Sequence, residues 1–141
     1  MDRLIDYAMQ HVGLPYRWGG DDPMRGYDCS GFVQEILASV GEDPAGDQTA
    51  DSLYRHFSRY GKLQQPDAGA LAFFGSGTKI THVTFCIDNF RMIEAGGGGS
   101  KVKTVEDAAR QNAYIRVRPI SLRSDLVETI MPDYDFLRSV R

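Results

Sequence analysis

The sequence predicts an α+β fold, with N-terminal helices packed on a central antiparallel sheet. Three observations point to it. Phe32, Ile36 and Val40 recur at four-residue intervals, and Val33 and Leu37 widen the same apolar face, so a buried helix starts near residue 29. Val83, Phe85 and Ile87 alternate with His82, Thr84 and Cys86, and Asp88-Asn89 follow as turn residues, which marks a hairpin over 81–95. Residues 113–118 (Ala-Tyr-Ile-Arg-Val-Arg) alternate as well and close the sheet.

In chain order, residues 2–12 read as an amphipathic helix with Leu4, Ile5, Ala8, Met9 and Val12 inward, ended by Gly13 and Pro15. His11, in its last turn, is expected to be structural or solvated. Residues 14–27 are a loop rich in Gly, Pro and Asp, in which Trp18 reads as packing. Asp28 is an acceptable N-cap, which places Cys29 in the first turn of the next helix, and Gly41 stands at its C-cap. Residues 42–48 form a loop. Thr49 caps a helix over 50–59 with Leu53 and Phe57 inward, and His56 on it has no acid partner nearby. Residues 60–69 turn the chain, and residues 70–74 (Ala-Leu-Ala-Phe-Phe) read as a short buried strand. Gly96-Gly97-Gly98-Gly99-Ser100 reads as a native flexible loop bordering a cleft, and residues 104–111 as a short helix. In residues 120–141, Leu122, Leu126, Ile130, Tyr134, Phe136 and Leu137 carry apolar surface that should dock on the domain or on a partner. Pro132 breaks any single helix there.

A chain of 141 residues suits one domain, and 42% hydrophobic with 25% charged residues describes an ordinary globular chain. A net charge of −3 without any Lys/Arg run argues against nucleic acid as a partner. No apolar run approaches the ~18 residues of a membrane span. Met1-Asp2-Arg3-Leu4-Ile5-Asp6 lacks a signal-peptide pattern, so synthesis without a secretory signal is expected. Two cysteines, Cys29 and Cys86, make no disulfide scaffold, and no CxxC or HxxxH spacing indicates a metal site.

Cys29 is the candidate nucleophile. The thiolate is the reactive form of cysteine, and free amides at a helix N-terminus favour it and can receive an oxyanion. The competing reading is a small buried cysteine in a core helix. If the hairpin pairs Cys86 with Phe90, His82 lies directly opposite Glu94 on one face, whereas a one-residue slip separates them. In the even register Cys29, His82 and Glu94 supply a nucleophile, a base and an orienting group. The plain alternatives are a satisfied sheet histidine and an exposed strand-end carboxylate. Asp28 and Ser30 either cap the helix or meet a substrate amine, and Asp21 and Asp22 make the rim acidic.

Pro15-Tyr16-Arg17-Trp18-Gly19-Gly20, Asp28-Cys29-Ser30-Gly31-Phe32-Val33 and Thr81-His82-Val83 together resemble the NlpC/P60 cysteine peptidases over about residues 3–118, leaving 119–141 as an extension. The resemblance implies a papain-like fold and cleavage of peptidoglycan stem peptides, often between D-γ-glutamate and a diamino acid, without metal or cofactor. It places Tyr16 beside the nucleophile as an oxyanion or substrate contact, and Asp28 and Ser30 at the amine of an N-terminal L-Ala. Two departures stand out: Glu94 replaces the usual His, Asn or Gln, and Ala70 replaces an Asp. With no signal, the resemblance fits a phage product, either virion- or tail-associated or released to the wall through a holin, and equally a cytoplasmic recycling enzyme. The alternative is a non-catalytic phage tail assembly or wall-binding module of the same fold.

Overall fold

The computed structural model describes residues 1–22, 26–97 and 99–138. The chain opens with α1 (Asp2–Met9), a two-stranded ribbon of β1 (Asp21–Asp22) and β2 (Gly26–Tyr27), and then α2 (Cys29–Ala38) and α3 (Ala50–Tyr60). The strands β3 (Gly61–Leu63), β4 (Leu71–Gly75), β5 (Ile80–Cys86) and β6 (Arg91–Ala95) follow. After α4 (Val105–Gln111) come β7 (Ile115–Pro119), a 3-10 turn at Ile120–Leu122, β8 (Leu126–Pro132) and α5 (Asp135–Arg138). Six strands make one antiparallel sheet in the order β3-β8-β4-β5-β6-β7. The α+β expectation therefore holds.

Local signals set most boundaries. Asp28 caps α2, its side chain accepting from the Gly31 amide. Gly41, at φ +74, closes the helix as a Schellman turn, with Gly41 N–H donating to the Ala38 carbonyl and Glu42 N–H to that of Leu37. Thr49 with Ser52, and Thr104 with Asp107, form capping boxes at the starts of α3 and α4. Phe32, Val33, Ile36 and Leu37 of α2 and Leu53 and Phe57 of α3 pack with Leu71, Phe73, Val83, Phe85 and Ile93 of the sheet. Ala70, Ala72, Phe74, Cys86 and Met92 form a second apolar cluster with Ile120. Among the described residues no helix is long and apolar enough to cross a membrane.

Three expectations need correction. The first helix stops at Met9 and not at residue 12, so Met9 and Val12 leave the buried stripe and are exposed. His11, by contrast, takes the structural role that was one of its two expected readings: it is buried, with Nδ1 3.0 Å from the Tyr7 carbonyl and its ring edge-on to Tyr7, Tyr27 and Phe32. The 60–69 turn contains a strand, β3. Most consequentially, the segment after residue 119 is no mere appendage, because β8 pairs with β3 on one side and β4 on the other, inside the sheet. Tyr134, fully buried, then donates to the Gly69 carbonyl at 2.7 Å, and Phe136 and Leu137 pack on the core, while Leu122 and Leu126 stay exposed.

The hairpin register is even but shifted. Cys86 pairs with Met92 and Phe85 with Ile93, where Cys86 opposite Phe90 was expected. The cause is local. Asp88 Oδ1 accepts from the amides of Phe90 and Arg91, at 3.0 and 2.7 Å, so the loop spans Asp88 to Phe90 and Ile87 N–H reaches the Arg91 carbonyl. Glu94 consequently faces Thr84, and His82 lies one diagonal step away on the same face.

Candidate active site

Cys29 opens α2, and its position depends on the loop before it. The loop backbone lies so close to the helix that a Cβ on Gly31 would collide with the Gly20 carbonyl oxygen, and one on Gly20 with that of Gly26. That close approach is what Gly20, Gly26 and Gly31 are for, a Cβ on Gly26 meeting the Pro15 carbonyl oxygen. Asp28 stitches the two together. Its Oδ1 accepts from Gly31 N–H at 2.7 Å and from Ser30 Oγ at 3.3 Å, and its Oδ2 from Gly19 N–H at 3.1 Å. Burial pushes the Asp28 carboxyl above its ordinary value, and these donors offset only part of the shift. Tyr16 is buried, and burial, with the Cys29 and Asp28 charges beside it, pushes its phenol well upward.

His82 comes from β5, where a bulge between Phe74 and Gly75 of the neighbouring strand interrupts the ladder. Phe74 pairs directly with His82, and their rings lie 5.8 Å apart. His82 Nε2 is 2.8 Å from Glu94 Oε2, and both side chains are almost fully buried. The other Glu94 oxygen, Oε1, is 3.5 Å from Arg118 of β7. Burial disfavours charge on His82, yet its hydrogen bonds with Cys29 and Glu94, and their charges, outweigh burial and raise the imidazole from 6.5 to about 9. Burial likewise pushes Glu94 up, but the His82 hydrogen bond and the charges of His82, Arg118 and Arg123 bring it below its ordinary value.

These groups open into one cleft of about 850 Å³. The helix side contributes Tyr16, Asp28, Cys29 and Ser30, the start of α3 contributes Gln48 to Asp51, and the sheet side contributes His82, Glu94 to Gly97, Arg118 and Arg123. Asp21, expected on its rim, does not line the cleft, whereas all six residues assigned to the site from the sequence do. Trp18 does too, at 54% exposure, which corrects its reading as core packing. Its amide is held by the Val102 carbonyl while the ring stands out over the cleft. The glycine loop borders the cleft through Gly96 and Gly97, whereas Gly98 and the side chain of Asp22 lie outside the described residues. Cys86 is a free thiol sealed in the core, and burial raises it to about 12, which leaves it unreactive.

Two residues escaped the sequence reading. Arg118 passed as the polar half of an alternating strand, and its signal is visible only once β7 is paired with β6. Arg123 is clamped by Asp125 through two 2.9 Å bonds and stacks 5.0 Å over Phe74, which fixes it beside the histidine.

A thiol at a helix N-terminus, sharing a cleft with a sheet-borne imidazole that a third side chain holds by a hydrogen bond, has the nucleophile–base–orienter geometry of cysteine hydrolases. The chain belongs to the NlpC/P60 family, a family of cysteine peptidases, whose profile matches residues 13–119. It is 34% identical over 105 residues to the probable endopeptidase p60 of Listeria innocua, covering 74% of this chain and 22% of that one. It is 36% identical over 102 residues to the bifunctional muramidase/DL-endopeptidase CwlT of Bacillus subtilis, covering 70% and 30%. The chain thus spans less than a third of these relatives. The crystal structure of the NlpC/p60 domain of the peptidoglycan hydrolase SagA shares the fold, with a TM-score of 0.66, 23% identity, and 90% and 94% of the two chains covered.

Proposed function

We propose that residues 1–141 form one catalytic domain, a cysteine endopeptidase that hydrolyses peptidoglycan stem peptides at D-γ-glutamyl-diamino acid bonds. The observation that carries this reading is the His82 ring, 2.8 Å from Glu94 and lining the same cleft as Cys29. The names of p60 and CwlT support the substrate class. Cys29 Sγ attacks the amide carbon, and the oxyanion falls toward the free amides of the first α2 turn and Tyr16. His82, having taken the thiol proton, passes it to the leaving amine as the C–N bond breaks. Water then attacks the thioester, His82 accepts its proton, and the thiol is regenerated. Glu94 fixes the ring tautomer and balances the imidazolium. Asp28 already accepts three hydrogen bonds. A carboxylate has about four acceptor sites, which leaves room for one contact to a substrate ammonium. Ser30 steadies that carboxylate from below.

The test is digestion of purified peptidoglycan and of free stem peptides by the wild type and by Cys29→Ala, with products read by mass spectrometry. Fragments ending in D-γ-Glu that the folded mutant does not produce are expected. No cleavage of either substrate by a folded wild type overturns the reading, and fragments ending elsewhere overturn the assigned bond.

A further inference from the structure

Glu94 is a buried carboxylate, its side chain only 5% exposed, with one partner whose charge comes and goes. When His82 gives its proton to the leaving amine, Glu94 would be left as an uncompensated buried charge. Such a charge is costly, and the usual relief is to take up a proton. A Glu94 that took the His82 proton would disable the base. The structure supplies a cation that never titrates. Glu94 faces Arg116 and Met92 faces Arg118, so Arg118 sits diagonally across from Glu94 on the same face. Its Nη1 lies 3.5 Å from Oε1, the oxygen His82 does not use. Among the described residues this is the one ion pair of Arg118, whereas Arg123 is already committed to Asp125.

We propose that Arg118 is a positioning residue, the permanent cation that keeps Glu94 ionised and aimed at His82 through both charge states of the ring. The inference rests on the assignment of Cys29, His82 and Glu94 above. It also gives a physical reason for a carboxylate at a position where the resemblance leads one to expect a neutral side chain. A neutral Asn or Gln needs no compensating charge, whereas a buried Glu does. The charged groups facing the pair are Cys29 from α2, Arg118 from β7, and Arg123 with Asp125 from the segment before β8. The sign follows. Arg118 favours ionised Glu94, so its loss moves the Glu94 titration to higher pH.

The experiment titrates Glu94 by carboxyl carbon NMR in the wild type, Arg118→Gln and Arg118→Lys, beside pH profiles of kcat/KM and the Glu94→Gln and Glu94→Gln/Arg118→Gln variants. Expected is an upward move of the Glu94 midpoint and of the acid limb in Arg118→Gln, with kcat falling and KM unchanged. Arg118→Lys should restore both, and Arg118→Gln should have no effect once residue 94 is Gln. Lysine keeps the charge on an edge strand where the side chain is one-third exposed, so it separates loss of charge from loss of fold. A Glu94 midpoint unmoved in Arg118→Gln overturns the inference, and so does an equal effect of Arg118→Gln in the Glu94→Gln background. The titration needs no substrate, so it decides Arg118 even where the proposed peptidase fails its own test.

Discussion

The two walls of the cleft are built differently. The helix wall, residues 15–22 and 26–31, is chain folded back on itself by glycine contacts and by one carboxylate with three local donors. The sheet wall gathers His82, Glu94, Arg118 and Arg123 from three strands and a turn, held by strand register and by a line of alternating charge. A wall made of neighbours in sequence leaves its chemistry written in a motif. A wall made of distant pieces depends on where each strand stops and turns. The helix wall should therefore fail all at once, and the sheet wall by degrees.

The largest effect expected is on the helix wall. Cys29→Ala removes the proposed nucleophile and should lower turnover at least ~10⁴-fold with melting unchanged. Residual turnover near wild type would move the chemistry off this wall. Gly31→Ala comes next. The added Cβ meets backbone oxygen of Gly20 and the Asp28 carboxylate, and neither is free to move away. A loss of about 3 kcal/mol in urea unfolding is expected, with Cys29 alkylation altered in parallel. A loss below ~1 kcal/mol would show that the loop yields, and the contrast between the walls would weaken.

On the sheet wall, Glu94→Gln keeps the shape and removes the charge. The lost charge-assisted bond is worth about 1.5–3 kcal/mol, or roughly 10- to 100-fold in kcat/KM. The pH dependence sharpens this. His82 is raised from 6.5 to about 9, so it remains an imidazolium through neutral pH and loses that charge as pH rises through about 9. Wild-type activity should fall above pH 9, and in Glu94→Gln that limb should move to lower pH. A limb that stays in place would mean that Glu94 does not set the histidine's charge.

The same contrast explains what the sequence could disclose. Asp28, Cys29 and Gly41 were legible because an N-cap, a first turn and a C-cap are set by residues next to one another. That His82 and Glu94 share a face was legible from parity, since both sit on alternate positions of an even hairpin. Their diagonal offset was not, because the loop runs from Asp88 through Phe90 and moves the pairing by two residues. The strand β8 was missed because Leu122, Leu126, Ile130 and Tyr134 recur every four residues, a spacing that does not alternate as a strand should. Only burial between β3 and β4 makes Leu126–Pro132 a strand. Arg118 carried no signal, since an arginine on an edge strand reads as solvated until its cross-strand neighbour is known.

The smallest effect expected tests the register itself. Asp88 accepts from two loop amides and from the Arg91 guanidinium at 2.7 Å. The exposed ion pair contributes little, so the two backbone bonds carry the turn. Asp88→Ala should cost about 1 kcal/mol in unfolding free energy and leave kcat nearly intact, because β4 and β7 still clamp the hairpin from both sides. Burial opposes ionisation of Asp88, but its amide and guanidinium donors hold it below its ordinary value of 3.8. Its contribution is therefore complete above pH 3.8 and lost as pH falls through the lowered value. The stability gap between wild type and Asp88→Ala should close on acidification and stay constant between pH 6 and 8. A large loss of activity without loss of stability would mean that the hairpin had left the pairing of Cys86 with Met92. The turn, and not the flanking strands, would then be what brings His82 and Glu94 into line.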